Sequence, residues 1–272
     1  MRFKSSGILM GLLALALVFA LASPLFAETV VVPFTGGTSA ATTTLAYSSD
    51  VWITVSGTGS ISTPGPLNDA FYVFTDAAGV PITPFYPDPN TAPDSGILWI
   101  NGAAAQFSIP DWSGAPAYSS LNEYSFLANV AAGPIVFGVG DSVPADDTGS
   151  FSVDIAVPAT IAISPNTLNL RSKGRWITAF IQLPAGLDPR NIMRSSLLLN
   201  GIVPAAPRPY SFGDHSGDGI RELMIKFSRS ATQALLTPGT NTITITGDMV
   251  DGASFIGSTT LRVINPGKGK NK

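Results

Sequence analysis

From Glu28 onward the chain consists of short runs rich in Val, Ile, Thr and aromatic residues, each soon closed by Gly, Pro, Asn or Asp. Such runs are too short and too sharply punctuated for long helices, and they fit strands joined by tight turns. In the first half they are 29–32, 42–47, 51–56, 71–75, 97–101, 106–109, 123–127, 135–139 and 151–157. Val51-Trp52-Ile53-Thr54-Val55 and Phe151-Ser152-Val153-Asp154-Ile155 alternate so that every second residue is apolar. In the second half the runs are 161–165, 176–183, 197–199, 202–203, 223–227, 242–246 and 259–264. One helix fits the pattern: Ser228 caps, Ala231 to Leu236 follow, and Pro238-Gly239 stops it. The expected fold is therefore mostly β, with two antiparallel β-sandwich domains in tandem, the second carrying one short helix.

The first residues combine a positive start at Arg2 and Lys4, an apolar run from Ile8 to Ala22, and small residues ending at Ala27. This is the pattern of a secretory signal peptide, and the run is shorter than the ~20 residues that span a bilayer. Residues 1–27 are expected to be removed, giving a secreted product that is extracellular or held at the cell surface. The chain has no cysteine, so disulfides, zinc–thiolate sites and thiol catalysis are excluded. Stability must come from a buried core and, where oxygen ligands allow it, a hard cation. Residues 266–272, with Lys268, Lys270 and Lys272 among glycines, read as a disordered basic tail.

The net charge of −3 hides a split. Residues 28–157 carry 12 acidic side chains and no Lys or Arg, whereas residues 158–272 carry 13 basic against 6 acidic, a net +7. The expected domain boundary therefore lies near Pro158, between an acidic domain (28–157) and a basic one (158–265). Acids concentrated in one half can serve to hold Ca²⁺, and the basic half can face an anionic surface or the acidic half itself. The negative first half disfavours nucleic acid.

In Gly213-Asp214-His215-Ser216-Gly217-Asp218-Gly219-Ile220-Arg221-Glu222, oxygen ligands alternate at Asp214, Ser216 and Asp218. Gly219 permits a sharp turn, the Ile220 carbonyl can point inward, and Glu222 can close the shell, as in the first half of an EF-hand loop. Ile225 stands where the bidentate closing Glu would be, so the loop resembles the shortened calcium loops of dockerins and thrombospondin type 3 repeats. A neutral Ser at the third position places the expected affinity at roughly 10⁻⁴–10⁻³ M. The other reading is a Gly-rich turn with solvated acids. With Thr167-Leu168-Asn169-Leu170, Arg175-Trp176-Ile177-Thr178-Ala179 and Leu199-Asn200-Gly201, the span Ser164–Ile264 resembles a C-terminal β module of many secreted bacterial and archaeal proteins. His215, Ser216 and Glu222 depart from that module's commonest loop. The resemblance implies an appended structural or surface-association module without enzymatic activity.

The string Gly140-Asp141-Ser142-Val143-Pro144-Ala145-Asp146-Asp147-Thr148-Gly149-Ser150-Phe151 resembles the end of galactophilic, calcium-dependent bacterial lectins and related galactose-binding-like sandwiches. That resemblance implies Ca²⁺ at Asp141, Asp146 and Asp147, with sugar hydroxyls completing the shell. Asp50–Val55 and Asn68-Asp69-Ala70-Phe71 stand upstream in a similar order, matching loosely, and nothing between Gly57 and Asp69 matches the family's sugar-specificity loop. The other reading is that Asp146 and Asp147 only turn the chain into the last strand. Long Gly-, Pro- and Asp-rich loops are expected at 57–66 and 84–95, where a binding site would sit.

Trp112 and Tyr86, in loops, are the aromatic candidates for ligand contact, whereas Trp52 and Trp99 fall in strands and are expected in the core. Enzyme readings find little support: His215 is the single histidine, and no Gly-x-Ser-x-Gly elbow or phosphate loop is present. The sequence thus reads as a secreted calcium-binding protein recognising a glycan or cell-envelope polymer. The alternative is a structural component of an extracellular layer, self-associating through its oppositely charged halves.

Overall fold

The computed structural model describes residues 28–48, 50–62, 65, 67–74, 82–84, 96–141 and 143–265. The expected signal peptide, the basic tail and residues 85–95 of the expected 84–95 loop, Tyr86 among them, lie outside these residues, whereas Pro84 ends a strand. The first half contains β1 (Glu28–Pro33), β2 (Ala41–Tyr47), β3 (Val51–Ser60), β4 (Tyr72–Phe74), β5 (Ile82–Pro84), β6 (Leu98–Ile100), β7 (Ala103–Ala104), β8 (Glu123–Ala128), β9 (Gly133–Val139) and β10 (Thr148–Pro158). The second contains β11 (Thr160–Ser164), β12 (Thr167–Asn169), β13 (Trp176–Gln182), β14 (Leu198–Leu199), β15 (Val203–Pro204), β16 (Ser211–Gly213), β17 (Glu222–Ser228), α1 (Arg229–Ala234), β18 (Gly239–Asp248) and β19 (Ser254–Ile264). The protein is mostly β, as the residue pattern predicts.

In the first half, β1 and β3 flank β10, with β8 outside β3, and this layer faces a second sheet in the order β2-β9-β6-β7. Alternation decides what is buried: Val51, Ile53 and Val55 of β3 and Phe151, Val153 and Ile155 of β10 are fully enclosed, while the residues between them are half-exposed. In the second half, β15-β14-β18-β19-β12 faces β11-β13-β17-β16. Most pairings are antiparallel, but β19 pairs parallel with both β12 and the end of β10, at Val157↔Phe255 and Pro158↔Ile256. The two halves therefore share one sheet, and one apolar cluster runs through both. Gly257 permits the junction, because a Cβ there would lie 2.2 Å from the Ala159 carbonyl oxygen.

Three local expectations are corrected. Residues 106–109 are not a strand: Ala105–Phe107 forms a 3-10 turn, closed by the Ser108 N–H on the Ala105 carbonyl. Gly57–Ser60 is not loop but a continuation of β3, paired with Thr148–Phe151. Trp52 and Trp99 are half-buried rather than core, since the inward positions are taken by Val51 and Ile53, and by Leu98 and Ile100. The short helix forms as expected, with the Ser228 hydroxyl accepting from the Ala231 N–H. No helix among the described residues is long and apolar enough to cross a membrane.

Candidate metal centre

The acidic loop of the first half leaves β9 at Gly140 and re-enters the sheet at Thr148. Asp141 opens it and accepts a 2.8 Å hydrogen bond from the Val143 N–H, which folds the chain back. Pro144–Asp146 then makes a single 3-10 turn that delivers Asp146 and Asp147 beside Asp141. One carboxylate oxygen from each of the three lies within 4.8 Å of the others. Among the described residues this is the one group of three or more His, Cys, Asp or Glu side chains so gathered.

Glycines position the loop. Gly149, at φ 94°, stands opposite Gly59 in the β10–β3 register, and a Cβ on it would lie 2.5 Å from the Gly59 Cα and the Thr58 carbonyl oxygen. A Cβ on Gly59 would meet the Thr148 carbonyl at 2.5 Å and the Phe34 ring at 2.6 Å. The Ser60 hydroxyl donates to the Ser62 carbonyl at 2.6 Å, turning the chain just beyond the Thr148↔Ser60 pair. Sequence reasoning missed these supports, although isolated glycines inside a strand pattern signal close backbone approach.

Asp147 is the unusual member. It is only 4% exposed, yet neither of its carboxylate oxygens accepts a hydrogen bond from a described residue. Loss of hydration, followed by the negative charges of Asp141 and Asp146, pushes its pKa from 3.8 up to about 6. The cover over it is thin, so the carboxylate is screened from direct contact with water without being deep in the protein. At an effective dielectric of ~20, two charges about 5 Å apart repel by roughly 3 kcal/mol. A cluster with an undonated, dehydrated carboxylate relieves that repulsion by binding protons or a cation. All-oxygen donors suit a hard ion such as Ca²⁺, which takes 6–8 oxygens at about 2.3–2.6 Å. The three Asp side chains fit such an ion.

The loop at 214–222 is arranged differently. One Asp214 oxygen accepts from the Gly217 N–H at 2.6 Å and the Asp218 N–H at 3.1 Å, and the other from the Gly219 N–H at 2.9 Å. Asp218 accepts from the Ile220 N–H at 2.8 Å and the Gln182 amide at 3.0 Å, contacts that hold its pKa low. Glu222 is buried and accepts from the His215 N–H at 2.8 Å, and the His215 ring lies 5.0 Å from that of Phe180. Ser216 and Ile220 are exposed on the same turn. The acids of this loop thus organise its own amides and do not form a group of three within 4.8 Å.

Asp69 is also accounted for internally. It is fully buried and accepts from the Phe71 and Tyr72 N–H groups and from the Tyr124 hydroxyl at 2.7 Å, while burial raises its pKa against those bonds. Trp112 is half-buried rather than presented to solvent: it stacks on Phe71 at 6.1 Å and 21°. It lines a recess of about 150 Å³ with Phe71, Asp111 and Phe126. Comparison with protein-family models, with curated proteins and with solved structures gave no match to this chain.

Proposed function

We propose that the chain is an exported, calcium-stabilised binding protein whose first half recognises carbohydrate or cell-envelope material. The observation that carries this reading is Asp147: a carboxylate removed from water, without a donor among the described residues, beside two further carboxylates within 4.8 Å. Burying such a group costs free energy that a cation offsets. The Trp112 recess supports a contact for the apolar face of a sugar ring on the same half. The loop from Asp214 to Glu222 is assigned a second calcium site, for which its ordered amides and exposed Ser216 and Ile220 supply a prefolded turn.

Calorimetric titration of EGTA-stripped protein with Ca²⁺ tests the metal. A component of the binding heat that is present in the wild type and lost in Asp147→Asn supports the assignment at the Asp141 cluster, and identical isotherms reject it. A glycan array probed with and without the ion then tests the ligand class, and binding that ignores calcium separates the two parts of the reading.

A further inference from the structure

The strand registers sort charge along the molecule in a way that composition alone does not reveal. β10 runs from the Asp141–Asp147 loop to the junction, and β19 runs on from the junction, pairing parallel with the end of β10. Each strand has 11 residues. At about 3.3 Å per residue, the acidic loop and the far end of β19 each stand roughly 30 Å from the junction.

Within the second half, all six acids fall toward the junction. Asp248 pairs with Ser254 at the start of β19, and Asp251 is in the same hairpin. Glu222 begins β17, Asp218 bonds to Gln182, which pairs with Thr160, and Asp188 lies 3.9 Å from Arg221.

The opposite end carries Arg171, Lys173, Arg175, Arg229 and Arg262. The loop that bears the first three joins β12 to β13, where Trp176 pairs with Ser228 and Asn169 with Ile264. It is held rigid. Gln233 donates to the Asn169 and Ser172 carbonyls, Arg229 donates to the Ser172 hydroxyl at 3.1 Å, and the Arg175 guanidinium lies 4.6 Å over the Trp176 ring. The salt bridges among described residues involve only Arg190, Arg221 and Asp188, so none of these five cations has a carboxylate partner there. Arg171 bonds to Asn265, after which the sequence adds Lys268, Lys270 and Lys272. None of the exposed large apolar side chains belongs to these segments, so the surface lacks the anchors of a bilayer-inserting face.

We propose that this basic end docks the acidic first half of a second copy of the chain, joining molecules head to tail. The charge complementarity is internal to the sequence, with 12 acids and no Lys or Arg in residues 28–157. The two ends of one molecule lie several Debye lengths of ~8 Å apart, so they do not neutralise each other and remain available to neighbours. A heterologous contact of this kind extends into open chains. The proposal is independent of the calcium site, because one bound Ca²⁺ offsets only two of the 12 negative charges.

Sedimentation velocity on the purified protein, in EGTA and in Ca²⁺, tests it. Concentration-dependent association is expected at low salt, weakening about tenfold or more as NaCl is raised from about 30 to 300 mM. The exposed triple variant R171E/K173E/R175E is expected to remain monomeric while keeping its calcium-dependent melting shift. R221E, a charge reversal near the junction, is expected to associate as the wild type does. A wild-type protein that stays monomeric at low salt overturns the proposal, whether or not it binds dextran sulfate through the same arginines. Equal weakening by R221E and K173E also overturns it, since net charge rather than this end would then be responsible.

Discussion

Replacing Asp147 by Asn exchanges a dehydrated charge for a neutral group of the same shape. The rise in pKa from 3.8 to about 6 corresponds to roughly 3 kcal/mol at ~1.4 kcal/mol per unit. The thin cover over the carboxylate lets solvent screen part of this, leaving about 1–2 kcal/mol. In EGTA at pH 7.5, Asp147→Asn is therefore expected to melt above the wild type, by roughly 2–8 °C for a chain of this size. The sign follows from linkage. A carboxyl whose folded pKa is raised favours the fold fully below the unfolded value near 4, and that contribution is lost as pH rises to about 6. The gap between variant and wild type should thus be absent below pH ~4, open between ~4 and ~6, and stay constant above. At about 10 mM Ca²⁺ the order should reverse or close, because a site of roughly 10⁻⁴–10⁻³ M stabilises only the wild type, by about 1.4–2.7 kcal/mol. Differential scanning calorimetry over this grid of pH and calcium reads all of these effects. A variant that melts at or below the wild type in EGTA and gains the same calcium shift would refute the reasoning.

Calcium affinity at the Asp141 cluster should fall about tenfold per pH unit below pH ~6, as the ion competes with one proton, and calorimetry in buffers of different ionisation heat would count that proton. Gly149→Ala should cost about 1–3 kcal/mol and remove the Asp147-dependent part of the calcium shift, because its Cβ would strike Gly59 and push the acidic loop off its seat; chemical denaturation measures the first and melting with Ca²⁺ the second. Tyr124→Phe should destabilise by about 1–3 kcal/mol in urea, since it removes the hydroxyl donor from fully buried Asp69. Asp214→Ala should speed amide exchange at Gly217, Asp218 and Gly219, whose N–H groups it frees, while leaving the Asp147-dependent calcium heat in place.

What the sequence determined by itself was local. Period-two alternation set which faces of β3 and β10 point inward, because a strand has only two faces and apolar Val51, Ile53 and Val55 cannot all face water. Turn chemistry marked most strand ends, and the Ser228 cap with Pro238-Gly239 bracketed the one helix. The acids of the first half were legible as a group, as were the oxygen-rich strings at 141–147 and 214–222. Tertiary structure decided which of those strings gathers its carboxylates. A loop's acids can turn toward one another or toward the loop's own amides, and sequence spacing permits both. The close glycine contact between β3 and β10 lies beside the first loop, where Asp147 meets Asp141 and Asp146, whereas the N–H groups of 217–219 capture Asp214. The same holds for the junction of the two halves and for the second half's acids gathering toward it while five of its cations stand at the far end. Both depend on β19 pairing with β12 and β10, strands distant in sequence, and no local pattern encodes a register between segments that meet only when the core closes.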